Sequence, residues 1–189
     1  CADAYRALSN ADIAFVNGGG IRKQIEAGDI TLDDIYSVHP FGNTMCVIRV
    51  TGQQVLDALE WGARAVPSEN GGFLQVSGLI YEIHTGVASS AEKDENGMFT
   101  RVSGEYRVKN VMVGGQPLEL DKTYTLASHN YMLLGHGDGY TMFDGCEVLG
   151  EDMMVDNQVL ITYITTTLGG VVGEQYANPY GDGRIVAVE

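Results

Sequence analysis

The fold is decided by one stretch of the sequence, Ile13-Ala14-Phe15-Val16-Asn17-Gly18-Gly19-Gly20-Ile21-Arg22. Its apolar beginning predicts a buried strand over residues 12–17. The three consecutive glycines then let the backbone turn sharply and approach a ligand closely. Asn17 opens this turn with an amide, and Arg22 closes it with a guanidinium that can bind phosphate or carboxylate. A plain tight turn with a surface arginine would have the same residues, so this stretch alone leaves ligand binding open.

On either side of this strand, strand and helix patterns interleave. Capping-box sequences start two helices at Thr31 and Thr51, and the second should end before Pro67. The remaining predicted elements are strands over 44–50, 73–84, 105–113, 124–128 and 184–188 and a helix over 152–168. Residues 89–97 are polar and acidic and predict a mobile surface loop, while residues 113–116 predict a hairpin turn. Because hairpins accompany the helices, a mixed sheet fits better than a purely parallel one.

Composition limits the possible partners. The 189 residues fit one globular domain over 1–189, with 11 basic and 25 acidic residues and a net charge of −14. This charge disfavours DNA or RNA polymers, which are bound by clustered lysine and arginine. No apolar run approaches the roughly 20 residues that span a bilayer, so no membrane insertion is expected. No signal-peptide pattern is recognised in the sequence, which begins part-way through a predicted helix, so we expect a piece of a longer protein.

Two further loops have the composition of ligand sites. The first is His39-Pro40-Phe41-Gly42-Asn43, where Phe41 is either a core residue at a strand end or an aromatic face for a flat ligand. The second is Gly135-His136-Gly137-Asp138-Gly139-Tyr140. Its carboxylate, Asp138, can accept two hydroxyl hydrogen bonds from a vicinal diol, or it can cap its own backbone in an Asp-Gly turn.

No catalytic apparatus is evident in the sequence. The four histidines show no paired spacing, the three cysteines have no metal-like spacing, and motifs of zinc proteases or serine hydrolases are absent. The sequence therefore predicts no catalytic residue and no metal site in this chain. Its distinctive residues are typical of recognition.

The three loops, in this order, resemble those of the C-terminal domain of 5′-nucleotidases. The matching stretches are residues 11–22, Pro40-Phe41-Gly42-Asn43-Thr44 and Gly137-Asp138-Gly139-Tyr140. The resemblance implies an α/β fold of mixed, α+β-like character, with layered mixed β-sheets and flanking helices. It also implies a separate N-terminal metallophosphatase domain, absent from this chain, that holds two divalent metal ions and performs the hydrolysis. The expected location is extracellular, in the cell wall or periplasmic.

The resemblance also implies roles for individual residues. Arg22 is similar to an arginine that contacts the phosphate or ribose side of the nucleotide, and Asn17 is similar to an asparagine that contacts the nucleotide. Gly20 would let the backbone come close, Phe41 would stack on the base, and Asp138 would hold the ribose hydroxyls.

The sequence departs from the family pattern in two places. The second stacking aromatic normally lies six residues before the aspartate, where this chain has Met132, and an ungapped alignment turns the adjacent Tyr131 elsewhere. His136 stands where the family usually has glycine, which would strain the loop if positive φ is needed there. A further phosphate-contacting arginine normally lies upstream of Cys1, so the affinity of this chain alone should be low.

The leading hypothesis is therefore a nucleotide-binding domain of a secreted 5′-nucleotidase that removes phosphate from nucleoside 5′-monophosphates. On its own the domain should bind without hydrolysing. The alternatives are a relative that acts on 2′,3′-cyclic nucleotides or nucleotide sugars, and a non-catalytic small-ligand-binding module.

Overall fold

A computed structural model of the chain describes residues 1–178 and 181–189. The helices are α1 (Ala2–Ser9), α2 (Leu32–Val38), α3 (Gly52–Ala63), α4 (Asn130–Leu133) and α5 (Asp156–Thr162). The strands are β1 (Ile13–Asn17), β2 (Met45–Thr51), β3 (Leu74–Ser77), β4 (Leu79–His84), β5 (Ala91–Lys93), β6 (Phe99–Val102), β7 (Val108–Val113), β8 (Gln116–Pro117), β9 (Thr123–His129), β10 (Glu147–Gly150) and β11 (Ile185–Val188). The architecture is mixed α/β, as the sequence predicts.

The larger sheet has the strand order β10-β2-β9-β1-β3. Only β1 and β9 run parallel in it, and its other neighbours are antiparallel. Every residue of β1 is buried, because its alternate side chains enter two different cores. Ala14 and Val16 pack towards α1 and α5, whereas Ile13 and Phe15 pack towards α3. This two-sided burial explains the uninterrupted apolar run in the sequence.

The smaller sheet, β11-β4-β7-β8, covers the other side of α3. Here the predicted strand over 73–84 is wrong in one respect, since it is two strands in two different sheets. The chain passes from one sheet to the other at Gly78, which has a φ of +83° and whose missing side chain leaves room for the Asp12 carbonyl. A period-2 pattern continues through such a crossing, so the sequence pattern does not show the break.

The capping boxes act as the sequence predicts. The Thr31 hydroxyl accepts from the Asp34 N–H, and the Thr51 hydroxyl accepts from the Gln54 N–H. In return, the Asp34 and Gln54 side chains accept from the backbone N–H groups of Thr31 and Thr51. The last helical segment lies within the predicted span 152–168: α5 begins at Asp156 and is followed by a π-helical turn over Tyr163–Thr167.

The acidic segment 89–97 is more ordered than predicted, because β5 lies inside it and pairs with β6. The turn at 113–116 is confirmed, with positive φ at Gly114 and Gly115 between β7 and β8. Within the residues that the structure describes, no helix combines the length and apolar character needed to cross a membrane.

Candidate functional site

The candidate site lies where the two parallel strands end. Asn17 is the last residue of β1, and His129 is the last residue of β9. Because parallel neighbours bring their carboxyl ends to the same edge of a sheet, these two side chains meet. The Nε2 atom of His129 is 3.0 Å from the Oδ1 atom of Asn17, and both residues are buried. The three loops singled out in the sequence converge on this edge.

The glycine loop is a single 3₁₀ turn over Gly18–Gly20. Gly18 and Gly19 donate their N–H groups to the carbonyls of Phe73 and Gly71, both at 2.7 Å. These two donors are therefore used within the protein and do not cradle a phosphate. None of the three glycines has positive φ. The loop needs glycine because neighbouring atoms lie close to its backbone: a Cβ at Gly20 would stand 2.6 Å from the Asn17 Oδ1 atom.

Asp138 occupies the second loop in the left-handed conformation, at φ +54°. The Trp61 indole N–H donates to its carbonyl at 2.9 Å. Its carboxylate accepts a hydrogen bond from Asn17 Nδ2 at 2.6 Å on one oxygen and from the Tyr131 hydroxyl at 3.2 Å on the other. Each carboxylate oxygen can accept a second hydrogen bond, so the group retains capacity for two ligand hydroxyls.

A cavity of about 420 Å³ opens beside these groups. Its wall consists of eight residues: Asn17, Gly19, Gly20, Arg22, Phe41, Asn43, Tyr131 and Asp138. Phe41 is 60% exposed, so it is not the core residue of the first alternative. The Arg22 guanidinium lies 5.9 Å from the centre of the Phe41 ring, and one of its N–H groups donates to the Gly19 carbonyl.

Of the two candidate residues that precede the aspartate loop, Tyr131 faces the cavity and Met132 does not. Met132 is fully buried in the core between the sheets and lies outside the cavity wall. Both residues belong to the short helix α4, where adjacent side chains point about 100° apart. Packing of Met132 inwards therefore turns Tyr131, 42% exposed, towards the cavity. The ungapped spacing in the sequence favours Met132 and leaves the choice between the two residues open.

Two further residues belong to the site although the sequence analysis gives them no role. Asn43, in the same loop as Phe41, lines the cavity. His129 has no individual role in the sequence analysis, but its contact with Asn17 is among the most buried polar contacts of the site. The sequence signal available for both was their position at the end or start of a strand.

Two neutral histidines lie behind the glycine loop. Burial lowers the pKa of His129 from 6.5 to about 4, and burial likewise lowers the pKa of His39 to about 4. Each also has a ring nitrogen without a partner among the described residues, Nδ1 in His129 and Nε2 in His39. At neutral pH the positive charge at the site therefore comes from Arg22.

A second cavity, of about 520 Å³, lies beside α1 and the C-terminal strand. It includes Asp3 and Arg184, which are already paired with each other at 2.6 Å and 2.8 Å. The smaller cavity brings together the spare acceptor capacity of Asp138, the Arg22 guanidinium and the exposed aromatic faces of Phe41 and Tyr131.

Comparison with known proteins agrees with this geometry. Residues 1–145 match the family described as 5′-nucleotidase, C-terminal domain. The chain belongs to this family. It is 35% identical over 180 residues to the trifunctional nucleotide phosphoesterase protein YfkN of Bacillus subtilis, covering 95% of the chain and 11% of that protein. It is 32% identical to a 5′-nucleotidase of Vibrio cholerae, covering 85% of the chain and 25% of that protein.

Among solved structures, the 5′-nucleotidase precursor of Thermus thermophilus superimposes with a TM-score of 0.80 at 31% identity. That match covers 99% of the chain and 34% of the solved protein. This member of the 5′-nucleotidase C-terminal domain family thus spans a tenth to a third of the proteins that it matches. The family membership connects the chain with nucleotide hydrolases.

Proposed function

We propose that this chain is the substrate-binding domain of a secreted 5′-nucleotidase that dephosphorylates nucleoside 5′-monophosphates. The observation that carries the proposal is the set of groups in the 420 Å³ cavity. Phe41 and Tyr131 offer aromatic faces to a base, Asp138 offers a carboxylate to a vicinal diol, and Arg22 offers a guanidinium to an anion. A nucleoside monophosphate carries these three features together.

In this proposal the chain binds and orients, and the hydrolysis occurs elsewhere. A partner metallophosphatase domain in the same polypeptide, on the N-terminal side, would hold two divalent metal ions that activate water and stabilise the phosphoryl group. Within residues 1–178 and 181–189, no three His, Cys, Asp or Glu side chains gather in a way that could hold a metal. The family resemblance supports an extracellular, cell-wall or periplasmic location.

Nucleoside titration of the 189-residue chain tests the binding role. We expect adenosine and its 5′-monophosphate to shift the NMR signals of Arg22, Phe41 and Asp138 at millimolar concentration. Asp138→Asn should weaken adenosine binding about tenfold, or about 1.4 kcal/mol, because an amide NH₂ replaces one acceptor oxygen of the diol site. The matched control is Asp121→Asn, which removes an exposed charge at the opposite end of β9. Absence of any shift with millimolar ligand contradicts the proposal.

The likeness to YfkN, which is named as a trifunctional nucleotide phosphoesterase, favours one second candidate, a wider range of nucleotide phosphoesters. A 2′,3′-cyclic nucleotide has no free diol, because both hydroxyls are esterified. If cyclic nucleotides are ligands, Asp138→Asn should leave their affinity nearly unchanged while it weakens that of the 5′-monophosphate. Titrating both ligands against both proteins separates the two candidates.

A further inference from the structure

The buried contact between His129 and Asn17 has a defined direction. The amide oxygen Oδ1 of Asn17 can only accept a hydrogen bond, so the His129 Nε2 atom, 3.0 Å away, must carry a proton and donate it. His129 is 2% exposed, and its Nδ1 atom has no partner among the described residues. The geometry therefore requires the neutral tautomer with the proton on Nε2.

The contact with Asp138 determines which way the Asn17 amide faces. A carboxylate oxygen only accepts, so the Nδ2 group points to Asp138 Oδ2, 2.6 Å away, and Oδ1 faces His129. A flipped amide would place its oxygen against the carboxylate and lose that hydrogen bond, and the proton on His129 Nε2 opposes the flip as well. Gly20 leaves the space that this orientation needs, since a Cβ there would lie 2.6 Å from Oδ1.

We propose that His129 is a positioning residue for the diol site: through Asn17 it holds the Asp138 carboxylate in its ligand-ready orientation. This inference rests on the proposed nucleoside-binding function of the cavity. His129 itself does not line the cavity. It acts from the end of β9 on a carboxylate that sits in a different loop, and Asn17 transmits the effect.

The surroundings of His129 keep it neutral. Tyr5 of α1 and Tyr131 of α4 face its ring, with centroids 6.3 Å and 5.9 Å away. Burial is the main cause of its lowered pKa; His39 lowers that pKa further, whereas the Asp138 charge and a hydrogen bond to the backbone of His129 itself raise it. The neutral donor state therefore persists through the range around pH 7.

A ligand pair separates positioning from general stabilisation. Adenosine has the 2′,3′-diol, and 2′,3′-dideoxyadenosine lacks it but keeps the base. We expect His129→Leu, which removes the donor at similar volume, to weaken adenosine binding about tenfold and dideoxyadenosine binding less than twofold. His129→Gln should recover most of the adenosine affinity, because its Nε2 reaches about as far as the histidine Nε2. His39→Leu, the control at the other buried histidine, should affect both ligands equally.

Equal losses for both ligands in His129→Leu would mean that His129 only stabilises the fold, and would overturn the proposal. A second measurement needs no ligand. The ¹⁵N spectrum of the histidine rings should show the His129 proton on Nε2, and the Asn17 side-chain amide signals should move in His129→Leu and return in His129→Gln. A proton on Nδ1, or unmoved Asn17 signals, overturns the inference. If the unaltered chain binds neither nucleoside, the proposed function fails, and these spectra still decide whether His129 orients Asn17.

Discussion

The two glycine-rich loops of this site look alike in sequence and differ in physical basis. In the first, Gly18–Gly20, no residue has positive φ, and the missing side chains let the backbone lie against Gly71 and Asn17. In the second, His136, Asp138 and Gly139 are all left-handed, with φ of +55°, +54° and +84°. The first loop needs glycine for space alone, whereas the second needs it for conformation at Gly139 and for space at Gly137, where a Cβ would clash with the Tyr131 ring. Glycine content alone does not distinguish these requirements.

The largest expected difference between the loops comes from a matched pair of alanine substitutions. Gly139→Ala forces a Cβ into a left-handed position, 2.8 Å from the Gly97 carbonyl and 2.9 Å from the Trp61 ring. We expect it to lower the free energy of unfolding by about 4 kcal/mol. A Cβ at Gly18 would meet only the Phe73 carbonyl, at 3.5 Å, so Gly18→Ala should change the free energy of unfolding by less than about 1 kcal/mol. Urea denaturation measures both, and equal effects would remove the distinction between the loops.

Lowering the pH should reduce the stability that the neutral His129 ring contributes behind the first loop. The folded pKa of His129 is about 4 and its unfolded pKa is near 6.5, so the unfolded chain takes up the proton first as pH falls. The stability from the neutral ring is therefore present above pH 6.5 and is lost between about 6.5 and 4. It amounts to on the order of 3 kcal/mol.

We expect His129→Gln to reduce the slope of the unfolding free energy against pH over that range to about half, because His39, whose pKa is also lowered to about 4, still contributes. Urea denaturation between pH 7.5 and 4.5 measures the slope for both proteins. Parallel slopes for His129→Gln and the unaltered chain would show that His129 does not titrate as described.

A smaller effect is expected when a side chain is added to the first loop at Gly20. Gly20→Ala places a Cβ 2.6 Å from Asn17 Oδ1, and moving the Asn17 amide away breaks its hydrogen bond with the buried His129, at a cost of about 1–2 kcal/mol in the free energy of unfolding. The displaced amide no longer meets Asp138, so adenosine affinity should fall about tenfold, or about 1.4 kcal/mol. Gly18→Ala is the control and should keep its affinity. A stable Gly20→Ala protein with unchanged adenosine affinity would show that Gly20 has no part in positioning the diol site.

The smallest effect concerns the departure from glycine at His136. Comparing His136→Gly with His136→Ala isolates the backbone, because both variants lose the contact with Asp144. At φ +55° the glycine variant should be the more stable by about 1 kcal/mol. Thermal or urea unfolding of the pair measures the difference. Identical stabilities would mean that the left-handed conformation at this position is not strained.

Much of the site could be anticipated from local signals. Asn17, Gly20, Arg22, Phe41 and Asp138 were picked out from strand ends and turn residues, and all five line one cavity. Their proposed roles towards a nucleotide stay predictions. The choice between Met132 and Tyr131 could not be made in the same way, because it depends on which face of a one-turn helix packs against the core.

The sequence by itself determined the elements whose signals are local: the apolar run of β1, the capping boxes at Thr31 and Thr51, and the turn at Gly114 and Gly115. The tertiary structure alone decided the contacts between distant segments. It split 74–84 between two sheets and brought His129 to Asn17, which lies 112 residues earlier. Capping and turn preferences act within a few residues, whereas these contacts depend on packing of both sheets around α3, which no short window of sequence contains.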